Sequence, residues 1–181
     1  METKRVVITG GPGSGKTALI NLMEKEGHSV MHEVSREIIK QAKKKGIDQL
    51  FLENPMLFSE MLLEGRIEQY KAGEKCDSKV LFYDRGIPDV TAYLDFAETS
   101  YPEVFSEKCQ NHRYDTIFVL PPWEDIYEQD DERYESFEQA EKIFHFLKKG
   151  YEDYGYITHE VPVGTIKQRV DYILETIKNL S

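Results

Sequence analysis

Cysteine is nearly missing from this chain of 181 residues, which has two, Cys76 and Cys109, far apart and without C-x-x-C spacing. That excludes a disulfide framework and a cysteine zinc site, and makes a reducing, cytoplasmic setting the expectation. Long apolar runs are missing too. No stretch approaches the roughly 20 residues that span a bilayer, and Met1 to Arg5 leads straight into the first strand with no signal-peptide pattern, so no membrane segment is expected. Basic charge is scarce: 23 Lys and Arg against 33 Asp and Glu leave a net charge of −10, which argues against a nucleic-acid backbone as partner. The one basic cluster, Lys43-Lys44-Lys45, falls late in a predicted helix, where the dipole favours cations. His28 and His32 lie on a turn and a strand, where a spacing of four makes no helical metal pair. No N-K-x-D base-reading motif occurs and Asp84-Arg85-Gly86 is not D-x-x-G, which argues against a GTPase switch of the Ras type. There are no internal repeats.

What is present is a phosphate-binding loop. Gly10-Gly11-Pro12-Gly13-Ser14-Gly15-Lys16-Thr17 matches G-x-x-x-x-G-K-[ST] at every fixed position. Glycines let successive N–H groups turn inward around an anion. Lys16 is placed for the β- and γ-phosphates, the Thr17 hydroxyl for Mg²⁺. The flanks agree: Arg5 to Thr9 reads as a buried strand, and Ala18 to Met23 as a helix whose positive end faces the phosphates. Gly11 to Ala18 are therefore the candidate nucleotide-binding residues.

The chain reads as one domain. A second strand is predicted over 29–34, with Glu33 at its carboxyl end, where open α/β sheets border the ligand crevice. A carboxylate there can approach a substrate hydroxyl; the alternative is a cap for the helix starting near Ser35 or a simply solvated side chain. Arg36 would share that rim and can pair with phosphate or carboxylate. Helices follow over 35–45 and, after the Asn54-Pro55 cap, up to Gly73. Lys79 to Tyr83 is an apolar strand ending in Asp84 and Arg85. An aspartate there supplies the hard oxygen that Mg²⁺ needs, and the arginine suits a phosphoryl group or the acceptor. Asp89 either faces the same region or caps the helix 89–97. A short helix over 101–112, a fourth strand over 115–120, a helix 136–149, a fifth strand over 156–162 and a helix 166–179 with a Thr165/Gln168 capping box complete the chain. Between Glu124 and Glu141 stand nine carboxylates and one basic residue, Arg133. The stretch 122–136 reads as a lid-like flap, with Arg133 either swinging over the phosphates or paired to its acidic neighbours.

Taken together, the phosphate loop, Glu33-Val34-Ser35-Arg36, Asp84-Arg85-Gly86 and an arginine-bearing flap resemble the P-loop nucleoside and nucleotide kinases. The closer resemblance is to the small AAA-type NTPase domains that include the nicotinamide riboside kinase domain of NadR and the animal translocation-defect protein that binds GTP. The resemblance implies a three-layer fold with a five-stranded parallel sheet in the order 2-3-1-4-5. It implies ATP or GTP as donor, Mg²⁺ held by Thr17 and Asp84, and a small hydroxyl acceptor such as a nucleoside near Glu33, Arg36, Asp84, Arg85 and Asp89. Lys16, Glu33, Asp84, Arg85 and Arg133 become the candidate catalytic groups, with Glu33 or Asp84 taking the proton. A nucleotide-dependent switch with a protein or lipid partner is the alternative.

Overall fold

The computed structural model describes residues 3–44, 46–47, 50–127 and 136–180. The chain runs β1 (Lys4–Gly10), α1 (Lys16–Lys25), β2 (Ser29–Met31), α2 (Ser35–Lys44), a single-turn α3 (Leu50–Glu53), α4 (Pro55–Ala72), β3 (Val80–Asp84), α5 (Pro88–Phe96), α6 (Val104–Asn111), β4 (Thr116–Leu120), α7 (Phe137–Asp153), β5 (Thr158–Glu160) and α8 (Ile166–Asn179). Short 3-10 turns occupy Gly73–Lys75 and Glu124–Ile126.

Side-chain alternation in the central strand decides the layering. Val6 and Ile8 of β1 point to one face and Val7 to the other, as a period of two requires. All three are fully buried, so both faces must be covered. Leu19, Ile20 and Met23 of α1 with Val170, Ile173 and Ile177 of α8 cover the first face. Leu63 and Ile67 of α4, Val90 and Leu94 of α5, and Phe144 and Tyr151 of α7 cover the second. The sheet is parallel throughout, in the order β2-β3-β1-β4-β5 that the resemblance implied. All strand carboxyl ends therefore open on one edge, and β1 in the middle delivers the phosphate loop there.

Capping explains several helix starts. Asn54 Oδ1 accepts from the Leu57 N–H at 3.1 Å, with Pro55 in the first turn. Ser136 with Gln139 and Thr165 with Gln168 each form a reciprocal capping box. Each cap stabilises its helix by about 1 kcal/mol.

Three elements differ from the sequence reading. The second strand ends at Met31 rather than at residue 34: only Ser29–Met31 pair with Leu81–Tyr83. Beyond them Gln69 Nε2 of α4 donates to the His32 carbonyl at 2.5 Å and the chain leaves the sheet, so Glu33 stands on a loop over the strand ends. The fifth strand shrinks to Thr158–Glu160, because Tyr156 turns into the core, where its hydroxyl accepts from the Tyr114 N–H at 3.2 Å. The helix α3 has no counterpart in the sequence reading. Of the predicted flap, residues 128–135 lie outside the described residues. Both cysteines are free thiols, Cys109 buried. Among the described residues no helix is long and apolar enough to cross a membrane.

Candidate active site

Gly13 and Gly15 hold φ at 69° and 73°, the left-handed region where a Cβ is costly. Gly15 precedes α1 with no side-chain cap, so the first-turn N–H groups of that helix remain open to an anion. Thr17 and Ala18 are exposed at this rim, Pro12 is half-buried, and Gly11 and Ser14 are buried. The chain after β4 seats on the loop from outside. The Trp123 N–H donates to the Gly13 carbonyl at 3.1 Å, and the Tyr127 ring fills the space where a side chain on Gly13 would stand.

Lys16 is 7% exposed. Its ammonium forms an ion pair with Asp84 at the end of β3, with Glu33 Oε2 at 3.8 Å on its other side. Burial, and after it the charge of Arg85, pushes the Lys16 pKa down against the pull of Asp84 and Glu33.

Glu33 does not act as a bare helix cap. Its Oε1 lies 2.9 Å from Arg85 Nε. Burial alone would raise its pKa, but Arg85, Lys16 and Arg66, helped by the Ser35 hydroxyl, hold it at about 2. Glu33 is thus ionised at any working pH.

Arg85 is the geometric oddity of the site. At φ 73° it is one of two non-glycine residues among those described with a left-handed backbone, a conformation costing about 1–3 kcal/mol that the surroundings must overcome. Those surroundings are Glu33 at 2.9 Å, Asp89 Oδ1 at 3.2 Å from Nη1, and the Tyr93 ring, whose centroid is 5.4 Å from the guanidinium. Burial disfavours its charge, yet Tyr93, Glu33, Asp89 and Asp84 together lift its pKa well above the usual value.

Asp89, for which a rim position or a capping role was open, has no exposed surface. Its carboxylate accepts from Thr9 Oγ1 at 2.5 Å, the Gly86 N–H at 3.0 Å, Tyr151 Oη at 2.5 Å and Arg85 Nη1. Four donors satisfy it, and it faces Arg85 from below. Arg36 is exposed in the first turn of α2, whose Ile38 and Ala42 face inward. Arg133 lies outside the described residues.

Two buried arginines escaped the sequence reading. Arg66 of α4, 4% exposed, donates from Nη1 to the Gly86 carbonyl at 3.0 Å and reinforces the positive field at Glu33. Arg169 of α8 donates from Nη1 to the Ser14 carbonyl at 2.7 Å. The signal for both was a cation on an apolar stripe, Arg66 between Leu63 and Ile67, Arg169 before Val170 and Ile173. A cavity of about 450 Å³ lies beside the site, between α2 and α4, lined by Val34, Ile38 and Met61 with Glu37, Glu64 and Glu68; none of Lys16, Glu33, Asp84 or Arg85 borders it.

A phosphate loop on a 2-3-1-4-5 parallel sheet, faced by an acid–arginine pair at the end of the neighbouring strand, defines a P-loop nucleotide-binding protein related to the nucleoside kinases. The chain belongs to the AAA-domain family, whose model matches residues 5–169. No curated protein matches it. Its fold is similar to that of deoxyadenosine kinase from M. mycoides with the products dCMP and dCDP, at a TM-score of 0.70 and 14% identity over 97% of this chain and 99% of that one. It is similar also to NadR protein in complex with NR (TM-score 0.70, 18% identity, 98% of this chain) and to NadR with NAD and AMP-PNP (TM-score 0.67, 19% identity, 96% of this chain). The chain spans 50% and 49% of those two NadR chains.

Proposed function

We propose that this chain is a kinase, acting as a single domain with residues 122–136 as its lid, that moves the γ-phosphoryl group of ATP or GTP to a hydroxyl of a small acceptor. The acceptor class is the nucleosides, nicotinamide riboside among them. One observation carries the reading: Glu33 stands between Arg85 at 2.9 Å and Lys16 at 3.8 Å, beside the phosphate loop. A carboxylate able to orient a hydroxyl and two cations able to hold a phosphoryl group share one spot. The NadR structure in complex with NR and the deoxyadenosine kinase structure support the acceptor class.

In this mechanism the acceptor oxygen bonds to the γ-phosphorus as the bond to the β-bridging oxygen breaks, and the hydroxyl proton passes to Glu33 or Asp84. Lys16 and Arg85 meet the charge spread over the transferring oxygens, and Arg133 closes over it. At a pKa of about 2, Glu33 orients the hydroxyl better than it removes its proton. A phosphoryl group that engages Arg85 and Lys16 takes those cations from Glu33, which raises its proton affinity when a base is needed.

Magnesium is implied by this fold, and the donors fit it. The Thr17 hydroxyl and the Asp84 carboxylate are hard oxygens. Two protein oxygens leave the remaining ligand positions of such an ion to phosphate oxygens and water. When bound, the ion supplies charge neutralisation on the β- and γ-oxygens. Cytoplasm, where ATP is abundant and two free thiols stay reduced, is the matching compartment.

The test is a product assay: the chain with ATP or GTP, Mg²⁺ and single nucleosides, resolving phosphorylated acceptor from free phosphate. Acceptor-linked phosphate supports the kinase. Free phosphate alone, unchanged by any nucleoside, supports the second reading, a nucleotide-dependent switch. What favours that second reading is the cavity between α2 and α4, which the phosphate site does not use; its glutamate rim suits a cationic protein segment better than an anionic lipid surface.

A further inference from the structure

Arg169 is 2% exposed, and its guanidinium is used at one corner only. Nη1 donates to the Ser14 carbonyl at 2.7 Å, while Nε and Nη2 are buried with no partner. No carboxylate among the described residues pairs with it. Its exposed neighbour Lys167 is paired with both Glu26 and Asp171 at 3.0 Å. Burial therefore lowers the Arg169 pKa with no opposing charge to lift it. Helix electrostatics do not explain the placement either, because a cation in the first turn of α8 stands at the positive end of that helix.

An uncompensated cation in the interior is costly. What lies against this one is the phosphate loop. A Cβ on Gly15 would meet Arg169 Nη1 at 3.0 Å and the Ile126 side chain at 3.2 Å, so the guanidinium is packed on the loop's outer side. The Ser14 hydroxyl on the same loop is also buried without a partner.

We propose that Arg169 is a positioning residue of the nucleotide site whose missing counter-charge is the bound polyphosphate itself. It fixes the Ser14 carbonyl outward, which keeps the loop's N–H groups turned toward the ligand, and its positive charge adds to theirs from behind. The inference rests on the reading of the loop as a triphosphate site. It makes the C-terminal helix part of that site, although none of that helix's residues belongs to the phosphate-loop pattern.

The experiment measures two quantities on the full chain, the thermal midpoint without ligand and the affinity for inorganic tripolyphosphate and for magnesium ATP by calorimetry. Arg169→Met is expected to leave the ligand-free midpoint unchanged or raised, since a buried unpaired charge is removed, while both affinities fall at least about tenfold. Arg169→Lys, which keeps the charge and loses the fork, is expected to fall between. A midpoint and an affinity that drop together, or an affinity that stays at the wild-type value, overturns the inference, as does an Arg169→Lys variant as weak as Arg169→Met. If Arg169→Met does not fold, that alone counts against it. Wild-type protein that takes up neither ligand refutes the nucleotide reading as well; a failure confined to the variants leaves that reading standing.

Discussion

The hydroxyl of Tyr151 donates to Asp89 Oδ2 across 2.5 Å, tying the last turns of α7 to the carboxylate that holds Arg85. Tyr151 is fully buried, and burial, with the Asp89 charge behind it, pushes its pKa well above the ordinary tyrosine value, so it stays a donor at any working pH. Strand β1, through Thr9, and helices α5 and α7 therefore meet on one carboxylate, and Arg85 is set on top.

Tyr151→Phe removes that donor and leaves the ring. The expected loss is about 1–3 kcal/mol of unfolding free energy, as for a hydrogen bond to a buried charge, read from urea titration. Under the kinase reading turnover should fall with it, because the carboxylate that sets Arg85 loses one of its anchors.

Arg85→Lys keeps a positive charge but cannot reach Glu33 and Asp89 at once. Under the kinase reading, turnover should drop about 10²-fold, the cost of losing one preorganised donor. Nucleotide affinity should change little. A turnover equal to wild type would show that the fork is not used.

Glu33→Gln keeps the shape and removes the charge. Under the kinase reading kcat should fall by about 10²- to 10⁴-fold, with binding of the donor nucleotide unchanged. Steady-state kinetics with a saturating acceptor, set beside calorimetry with a non-hydrolysable triphosphate, separates the two.

Acid should find the same residue. The pKa of Glu33 is lowered from 4.5 unfolded to about 2 folded, so its contribution is fully present above pH 4.5 and is lost as pH falls toward 2. That contribution is on the order of 3 kcal/mol. The stability difference between wild type and Glu33→Gln, measured by urea unfolding, should be largest near neutrality and shrink between pH 4.5 and 2.

Legibility in the sequence followed contiguity. The phosphate loop is one unbroken stretch whose backbone demands glycine at fixed places, and Gly13, Gly15 and Lys16 stand where the pattern put them. Asp84 and Arg85 were legible because an apolar strand that closes on an acid and an arginine marks its carboxyl end, where the crevice opens. Arg36 drew attention by lying near Glu33 in the chain, but a helix turns about 100° per residue, and Ile38 and Ala42 claim the inward side of α2. The cations that reach Glu33 come instead from β3 and from Arg66 of α4. Asp89 read as either a rim residue or a helix cap, and only the folded chain brings Thr9 and Tyr151 to it, 80 and 62 residues away. The same holds for Arg169, 155 residues from Ser14.

The pairing of Lys16 with Asp84 gives the site a lock with two keyholes. Pulling the ammonium away exposes an acid and a base of the interior together, so a visitor bearing negative charge alone answers one and strands the other. Under the kinase reading, orthophosphate or metal-free nucleotide is expected to be penalised on that account. Only a visitor that brings both signs in a single package releases the pair without leaving either side bare.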